Sequence, residues 1–360
     1  MSVQVSYKKQ FLFGLIVLLC ICIALESGSR IYEFFIQPCD LEKAETLSEY
    51  DYFSKRHICF DQQNIVYSYQ PFTTIAPNQQ LKTININSDG FRGSEINLTT
   101  QENYRIFVIG GSAVFGSGMY TDDETFPSEL DNKFKQKYDY IDVINAGIPN
   151  ITSFDELYNI NEKIIQLDPN MIVVYDGAND VHYKRINETV ISGTGDDISS
   201  IKDFQKYLRT PVVLYRHVLE PMMTAEKPTY HYDSESADLV ASLWHKRMTE
   251  ICTISNEKNI EVVVILQPTI YHGIKPFTDF ENSKLNEWDS EKNTAYKKTF
   301  EHLIQKSKEL NNCSLVLDFS DVFDNTHEGV YFDSVHLNNL GNKIIADKIY
   351  EKILPLISLR

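Results

Sequence analysis

The chain has 360 residues, 42% of them hydrophobic and 23% charged, which is ordinary for a globular protein with a full core and gives no reason to expect disorder. A formal net charge of -16 repels nucleic acid and anionic lipid head groups alike, so no nucleic-acid partner is expected. Six cysteines and nine histidines form no Cys-x-x-Cys or His-Glu-x-x-His pattern, and neither a metal nor a cofactor is expected.

The first segment reads as an address. Lys8 and Lys9 precede an uncharged apolar run from Phe11 to Leu25, closed by Glu26. The run is shorter than the roughly 20 residues a spanning helix prefers, though Tyr7, Gln10 and Ser27 to Ile31 could extend it. No Ala-x-Ala cleavage site follows, which favours an uncleaved single-pass anchor over a signal peptide and secretion. With both lysines on the amino side, the N-terminus stays in the cytoplasm and the rest of the chain is extracytoplasmic. Residues 1–29 are thus expected to engage the membrane. Cys20 and Cys22 inside the run read as small hydrophobes. Cys39 and Cys59 suit either a disulfide or unpaired structural thiols, and Cys252 and Cys313 read as buried packing residues.

Residues 30–100 lack sustained periodicity and are rich in Tyr, Gln, Asn and Thr, as in a stalk or extension that packs on a main domain at 101–360. That domain opens on Arg105 to Gly118, where Ile106 to Ile109 form a strand apolar on both faces, as in the middle of a parallel sheet. Gly110 and Gly111 then turn the backbone, and Ser112 emerges at the strand's carboxyl end, where open α/β sheets place their ligands. Two phosphate-binding readings fail on spacing. Gly111 and Gly116 are followed by Ser117 and Gly118, without the lysine of a nucleotide loop, and Gly116-x-Gly118 is followed three positions later by Thr121. A tight turn without chemistry remains the plain alternative.

A helix follows at 126–138 with Pro127 near its start, then a strand from Ile141 to Asn145 ending at Ala146-Gly147. Ser153 with Glu156 reads as a capping box for a helix lined by Leu157, Ile160, Ile164, Ile165 and Leu167. A strand from Met171 to Tyr175 runs into Asp176-Gly-Ala-Asn179-Asp180. Residues 181–233 break the alternation and read as an insertion near the site, a lid or a substrate wall. Helix 235–258, strand Glu261 to Leu266, helix 286–311 and strand Leu315 to Phe319 restore it, and a helix from Leu340 closes the chain at Pro355. The expected fold is α/β, a three-layer, flavodoxin-like parallel sheet of about five strands with helices on both faces. Asn97, Asn150, Asn187 and Asn312 stand in glycosylation sequons, with Asn150 expected to be unoccupied.

Four polar turns lie at predicted strand ends: Gly110-Gly111-Ser112, Asn145-Ala146-Gly147, Gly177-Ala178-Asn179-Asp180 and Asp333-Ser334-Val335-His336. In this order they resemble the blocks of the SGNH or GDSL-like hydrolases, serine esterases, over about residue 87 to the C-terminus. The family's Asp before the nucleophile is Gly111 here, a change expected to alter local rigidity rather than abolish chemistry. The resemblance implies Ser112 as nucleophile, His336 as base, Asp333 as its orienting carboxylate, and an oxyanion hole from the Ser112 and Gly147 N–H groups and the Asn179 side chain. A side chain at Gly147 would block the substrate's approach. Taken singly, Asn179 could hold a turn, Gly147 could supply positive φ and His336 could be structural, while Asp180 reads as structural. Asp324-Asn-Thr-His327 repeats the Asp-x-x-His spacing, but His336 stands just before the closing helix, where a base is better fixed. The expected activity is hydrolysis of an acyl ester, O-acetyl among the candidates, with an acylated surface carbohydrate as a candidate substrate. The alternatives are acyl transfer to such a carbohydrate and a non-catalytic carbohydrate-binding surface protein on the same scaffold.

Overall fold

The computed structural model describes residues 6–68, 72–96, 103–183, 208–219 and 232–358. Two compact units emerge, residues 1–39 with 193–228 and residues 40–192 with 229–360. In the first unit the apolar run becomes helix α1, Tyr7–Ile31, with no buried residue and with the length and composition of a membrane anchor or signal sequence. Glu26 near its end accepts from the Arg209 and Thr210 backbone N–H groups at 2.9 and 3.1 Å, and the Arg209 guanidinium forks onto Glu33 at 2.6 Å. Residues 208–219, within the stretch read as an insertion, thus pair with α1. The rest of that stretch, 184–207 and 220–231, lies outside the described residues, as do Asn97 and Asn187.

The second unit carries a five-stranded parallel sheet: β1 Tyr104–Gly110, β2 Ile141–Asn145, β3 Met171–Asp176, β4 Glu261–Leu266 and β5 Leu315–Asp318, in spatial order β2-β1-β3-β4-β5. This is the expected flavodoxin-like order. Every residue of β1 and β3 is buried, whereas edge strands β2 and β5 are only partly so, because helices cover both faces and the centre sees no solvent. The helices of this unit are α2 Tyr52–Asn64, α3 Ser112–Phe115, α4 Phe126–Lys135, α5 Ser153–Glu162, α6 Ala178–Tyr183, α7 Ser234–Asn256, α8 Asp279–Leu285, α9 Ser290–Ser307 and α10 Asn339–Ser358. One layer pairs α4 with α10, and the other packs α7 against both α5 and α9. The chain leaves β1 for β2 on one side and returns to β3 on the other, so the switch point lies between the carboxyl ends of β1 and β3.

Residues 40–68 and 72–96 belong to this same unit: a ribbon within them pairs Gln79–Gln80 with Asn85–Ile86, and a bridge between Arg92 and Asn145 joins them to the end of β2.

Four readings of the sequence are corrected. The N-cap of α5 is Thr152, whose N–H reaches Asp155, because the N–H and hydroxyl of Ser153 are both taken by Asp180 and Glu156 is fully buried. The helix placed at 286–311 is shorter, Ser290–Ser307 with Asp289 as its cap, and a separate helix not expected from the sequence, Asp279–Leu285 capped by Thr278, precedes it. Helix α10 continues through Pro355 to Ser358. Proline there forfeits one hydrogen bond close to the helix end, while buried Ile353 and Ile357 hold the last turn on the core. Finally, Cys252 on α7 and Cys313 at the entry to β5 are joined in a disulfide, Cα to Cα 5.0 Å. The neighbouring Asn256 side chain donates to the Asn312 carbonyl, so the two segments meet where the cysteines lie.

Candidate active site

Ser112 owes its position to a strand that stops. β1 ends at Gly110, Gly111 caps α3, and Ser112 is its first residue, placed at the sheet's carboxyl edge beside the switch point. Helix α3 has one turn, too short to hold itself, and its far end is fixed from outside. Gly116 ends it in the left-handed region at φ 85°, and the buried Arg92 donates from Nη1 to the Phe115 and Gly116 carbonyls at 3.1 and 2.9 Å. Arg92 also reaches Asp122 at 2.7 Å and the Thr83 carbonyl at 3.0 Å. A residue of the N-terminal extension therefore anchors the helix that carries the serine.

His336 is brought to Ser112 by the loop between β5 and α10. Its Nε2 lies 2.7 Å from Ser112 Oγ and its Nδ1 lies 2.6 Å from Asp333 Oδ2. The other Asp333 oxygen accepts the backbone N–H groups of Val335 and His336 at 2.9 and 2.8 Å, so the carboxylate shapes the turn as well as the ring. Asp333 is best matched by a proton on Nδ1, leaving Nε2 free to accept from the serine hydroxyl. Phe332 stacks on the imidazole, ring centroids 5.5 Å apart and planes 9° apart. Glu281 on α8 steadies the loop by accepting the Val330 and Tyr331 N–H groups while paired to buried Lys275 at 2.9 Å.

Charge in this pair follows from its surroundings. Burial alone would lower the His336 pKa, but the adjacent Asp333 carboxylate outweighs it and the net shift is upward. Burial pushes Asp333 up, yet the facing imidazole and the two backbone N–H bonds prevail and hold it below its ordinary value. His327 is exposed, and the Asp324 carboxylate accepts from the Ile274 N–H instead.

Asn179 opens toward the same edge from α6, at the end of β3. Its amide nitrogen donates to the Ile151 carbonyl at 2.7 Å, which uses one of its two hydrogens and fixes which end of the amide is the donor. A Cβ on Gly111 would stand 2.5 Å from that nitrogen, so the glycine leaves the Asn179 amide uncrowded. Gly147 follows β2, and two expectations about it change. Its backbone is not in the left-handed region, and an added Cβ would strike the Phe115 backbone nitrogen at 2.1 Å. Close packing on α3 therefore requires the glycine. The Gly147 N–H also donates to the buried Asn145 Oδ1 at 3.0 Å, so it reaches a further acceptor only as a shared donor.

The structure thus joins Ser112, His336 and Asp333 in one hydrogen-bonded chain, and places Asn179 against Gly111. Arg92, Phe332, Glu281 and Asn145 support these residues without having been singled out for that role. Asn145 stands in a segment conspicuous for its turn residues, two positions from the Gly147 N–H it accepts, whereas the partners of Arg92 are remote in sequence. Among the described residues no group of three or more His, Cys, Asp or Glu is placed to hold a metal ion.

Against known proteins, the model of the family described as GDSL-like Lipase/Acylhydrolase matches residues 106–349, a span that includes Ser112, Gly147, Asn179, Asp333 and His336. Similar solved structures include an acetyl xylan esterase at 17% identity and TM-score 0.42, covering 69% of this chain and 99% of its own. An α/β hydrolase from the metagenome of Lake Arreo, Spain, matches at 14% identity and TM-score 0.40, over 71% of this chain and 97% of its own. The acetylxylan esterase Axe2 of Geobacillus stearothermophilus matches at 16% identity and TM-score 0.41, over 71% and 96%. No curated protein matches the chain. The matched family span covers well over half of the 360 residues, and the chain accordingly belongs to the GDSL-like lipase/acylhydrolase family of ester-hydrolysing enzymes.

Proposed function

We propose that the chain is an extracytoplasmic serine esterase in which Ser112 is the nucleophile, His336 the general base and acid, and Asp333 the group that orients it. The observation that carries this reading is the continuous path from Asp333 Oδ2 through both nitrogens of His336 to Ser112 Oγ, at 2.6 and 2.7 Å. Ser112 Oγ adds to the ester carbonyl as its proton passes to His336 Nε2, and the imidazolium so formed is stabilised by Asp333. Collapse of the tetrahedral intermediate breaks the bond to the alcohol, which leaves with that proton. Water then adds to the acyl-serine, giving its proton to His336, and release of the acid restores the Ser112 hydroxyl.

Negative charge on the carbonyl oxygen is met by the Ser112 N–H at the opening of α3 and by the second hydrogen of the Asn179 amide, with the Gly147 N–H as a shared donor. The extracytoplasmic placement is supported by the Cys252–Cys313 disulfide, which suits an oxidising compartment, and by α1 with Lys8 and Lys9 on its amino side. Acyl esters outside the cytoplasm, O-acylated carbohydrate among them, are the substrates this location brings within reach.

The test is Ser112→Ala, a change the turn accepts sterically. Turnover of an activated ester and labelling by a fluorophosphonate probe should both be lost while the thermal melt is retained. Wild-type turnover by a pure, folded Ser112→Ala protein would overturn the assignment.

A further inference from the structure

We propose that Asp180 is a positioning residue for the Asn179 oxyanion donor, a clamp that fastens loop 147–153, which carries Ile151, to α6, which carries Asn179. The inference rests on the reading of Asn179 as an oxyanion donor.

Loop 147–153 is held at three places. The Ile148 N–H donates to the Gly110 carbonyl at 2.9 Å, at the end of β1. The Ile151 carbonyl takes one hydrogen of the Asn179 amide at 2.7 Å. Two residues on, Ser153 gives Asp180 both its N–H, at 2.9 Å, and its hydroxyl. Consecutive side chains on a helix diverge by about 100°, so Asn179 can face the catalytic edge while Asp180 turns inward beneath the loop. The amide of Asn179 is aimed by Ile151, and Ile151 is aimed by Ser153 on Asp180. Without the last link the Ile151 carbonyl is free to drift, and the Asn179 amide with it.

The clamp is closed to water. Ser153 is fully buried, Asp180 is 3% exposed and Arg247 5% exposed. Arg247 Nη1, from α7, lies 3.1 Å from Ser153 Oγ, to which it donates, and 3.5 Å from Asp180. Two further buried carboxyls flank the group. Asp176 accepts from Trp244 Nε1 at 3.1 Å, and Glu156 is fully buried beside it. Burial raises the pKa of all three acids, Glu156 and Asp176 most strongly, while the Ser153 bonds and Arg247 pull Asp180 the other way. An apolar side chain could fill this space without the cost of burying a charge, but it could not accept both Ser153 protons. What the carboxylate adds is a fixed loop.

Displacing a group in a preorganised site by about 1 Å can cost on the order of 10²-fold in rate, so Asp180→Ala should lower kcat by about 10- to 100-fold with KM within about 2-fold. The decisive measurement is a double-mutant cycle on kcat in the full chain, with one activated ester and folding checked by denaturant melt. Because Asp180 acts through Asn179, Asp180→Ala placed on Asn179→Ala should add less than about 2-fold. The acid limb of the pH–rate profile should stay where it is, since His336 is untouched. Multiplicative losses, an effect confined to KM, a moved acid limb, or wild-type kcat in folded Asp180→Ala would each overturn the proposal. Should Asp180→Ala fail to fold, Ser153→Ala, which deletes the hydroxyl and keeps the N–H bond, goes through the same cycle and is judged by the same outcomes. Wild-type kcat in Asn179→Ala would overturn the oxyanion reading and this inference together, whereas loss in Asn179→Ala with none in Asp180→Ala overturns the inference alone.

Discussion

Asp333 grips His336 at two points, the imidazole Nδ1 at 2.6 Å through one carboxylate oxygen and the residue's own backbone N–H at 2.8 Å through the other. The first contact raises the imidazole pKa above its ordinary value of 6.5 despite burial, and the second holds the ring's attachment point in the turn. Both depend on a charged oxygen pair that an amide reproduces only in shape.

The proposed base works as neutral imidazole, so kcat/KM should rise with pH along an acid limb whose midpoint lies above 6.5. Asp333→Asn removes the charge that raises this pKa, and the limb should move to lower pH while the plateau falls by up to about 10⁴-fold. A pH–rate profile of the two proteins on one ester checks both. A limb that stays in place or moves upward in Asp333→Asn would assign it to another group.

Gly111 allows a second test that leaves the proposed triad intact. Its φ is -75°, which alanine adopts without strain, but the added Cβ would stand 2.5 Å from the Asn179 amide nitrogen. Gly111→Ala should therefore push the amide off the Ile151 carbonyl. We expect kcat to fall by at least about 10-fold with little change in KM, in a protein that still melts cooperatively. Unchanged kcat would show that the Asn179 position tolerates this displacement.

These tests follow the division between what sequence could and could not reveal. Central parallel strands are buried on both faces, so β1, β3 and β4 stand out as apolar runs, each followed by a turn. Such local signals made Ser112, Gly147, Asn179 and His336 legible as candidates, and the closing helix distinguished His336 from His327. Two of the supports were not legible because their partners are remote. Arg92 reaches the α3 carbonyls from 23 and 24 residues away, and Asp180 holds Ser153 across 27. The residue that takes the cap of α5 was decided the same way. Ser153 has the right side chain for the role, but the buried Asp180 claims it and the cap passes to Thr152.

The Cys252–Cys313 bond gives the last prediction, which bears on location and stability together. It spans 61 residues, from α7 across β4 to the entry of β5, and closing a loop of that length restricts the unfolded chain by about 4 kcal/mol in the chain-entropy model. Replacing both cysteines with alanine should lower the unfolding free energy by about 2 to 5 kcal/mol, read from urea denaturation. Double replacement avoids leaving a lone thiol that could pair wrongly. In cells the same pair reports the compartment. Extracytoplasmic folding predicts that Cys252 and Cys313 resist alkylation in denatured extracts until a reductant is added, because cytosolic thiols are kept reduced and this bond would not persist there. Rapid alkylation of both without reductant would place the folded unit in the cytoplasm and reverse the orientation inferred from Lys8 and Lys9.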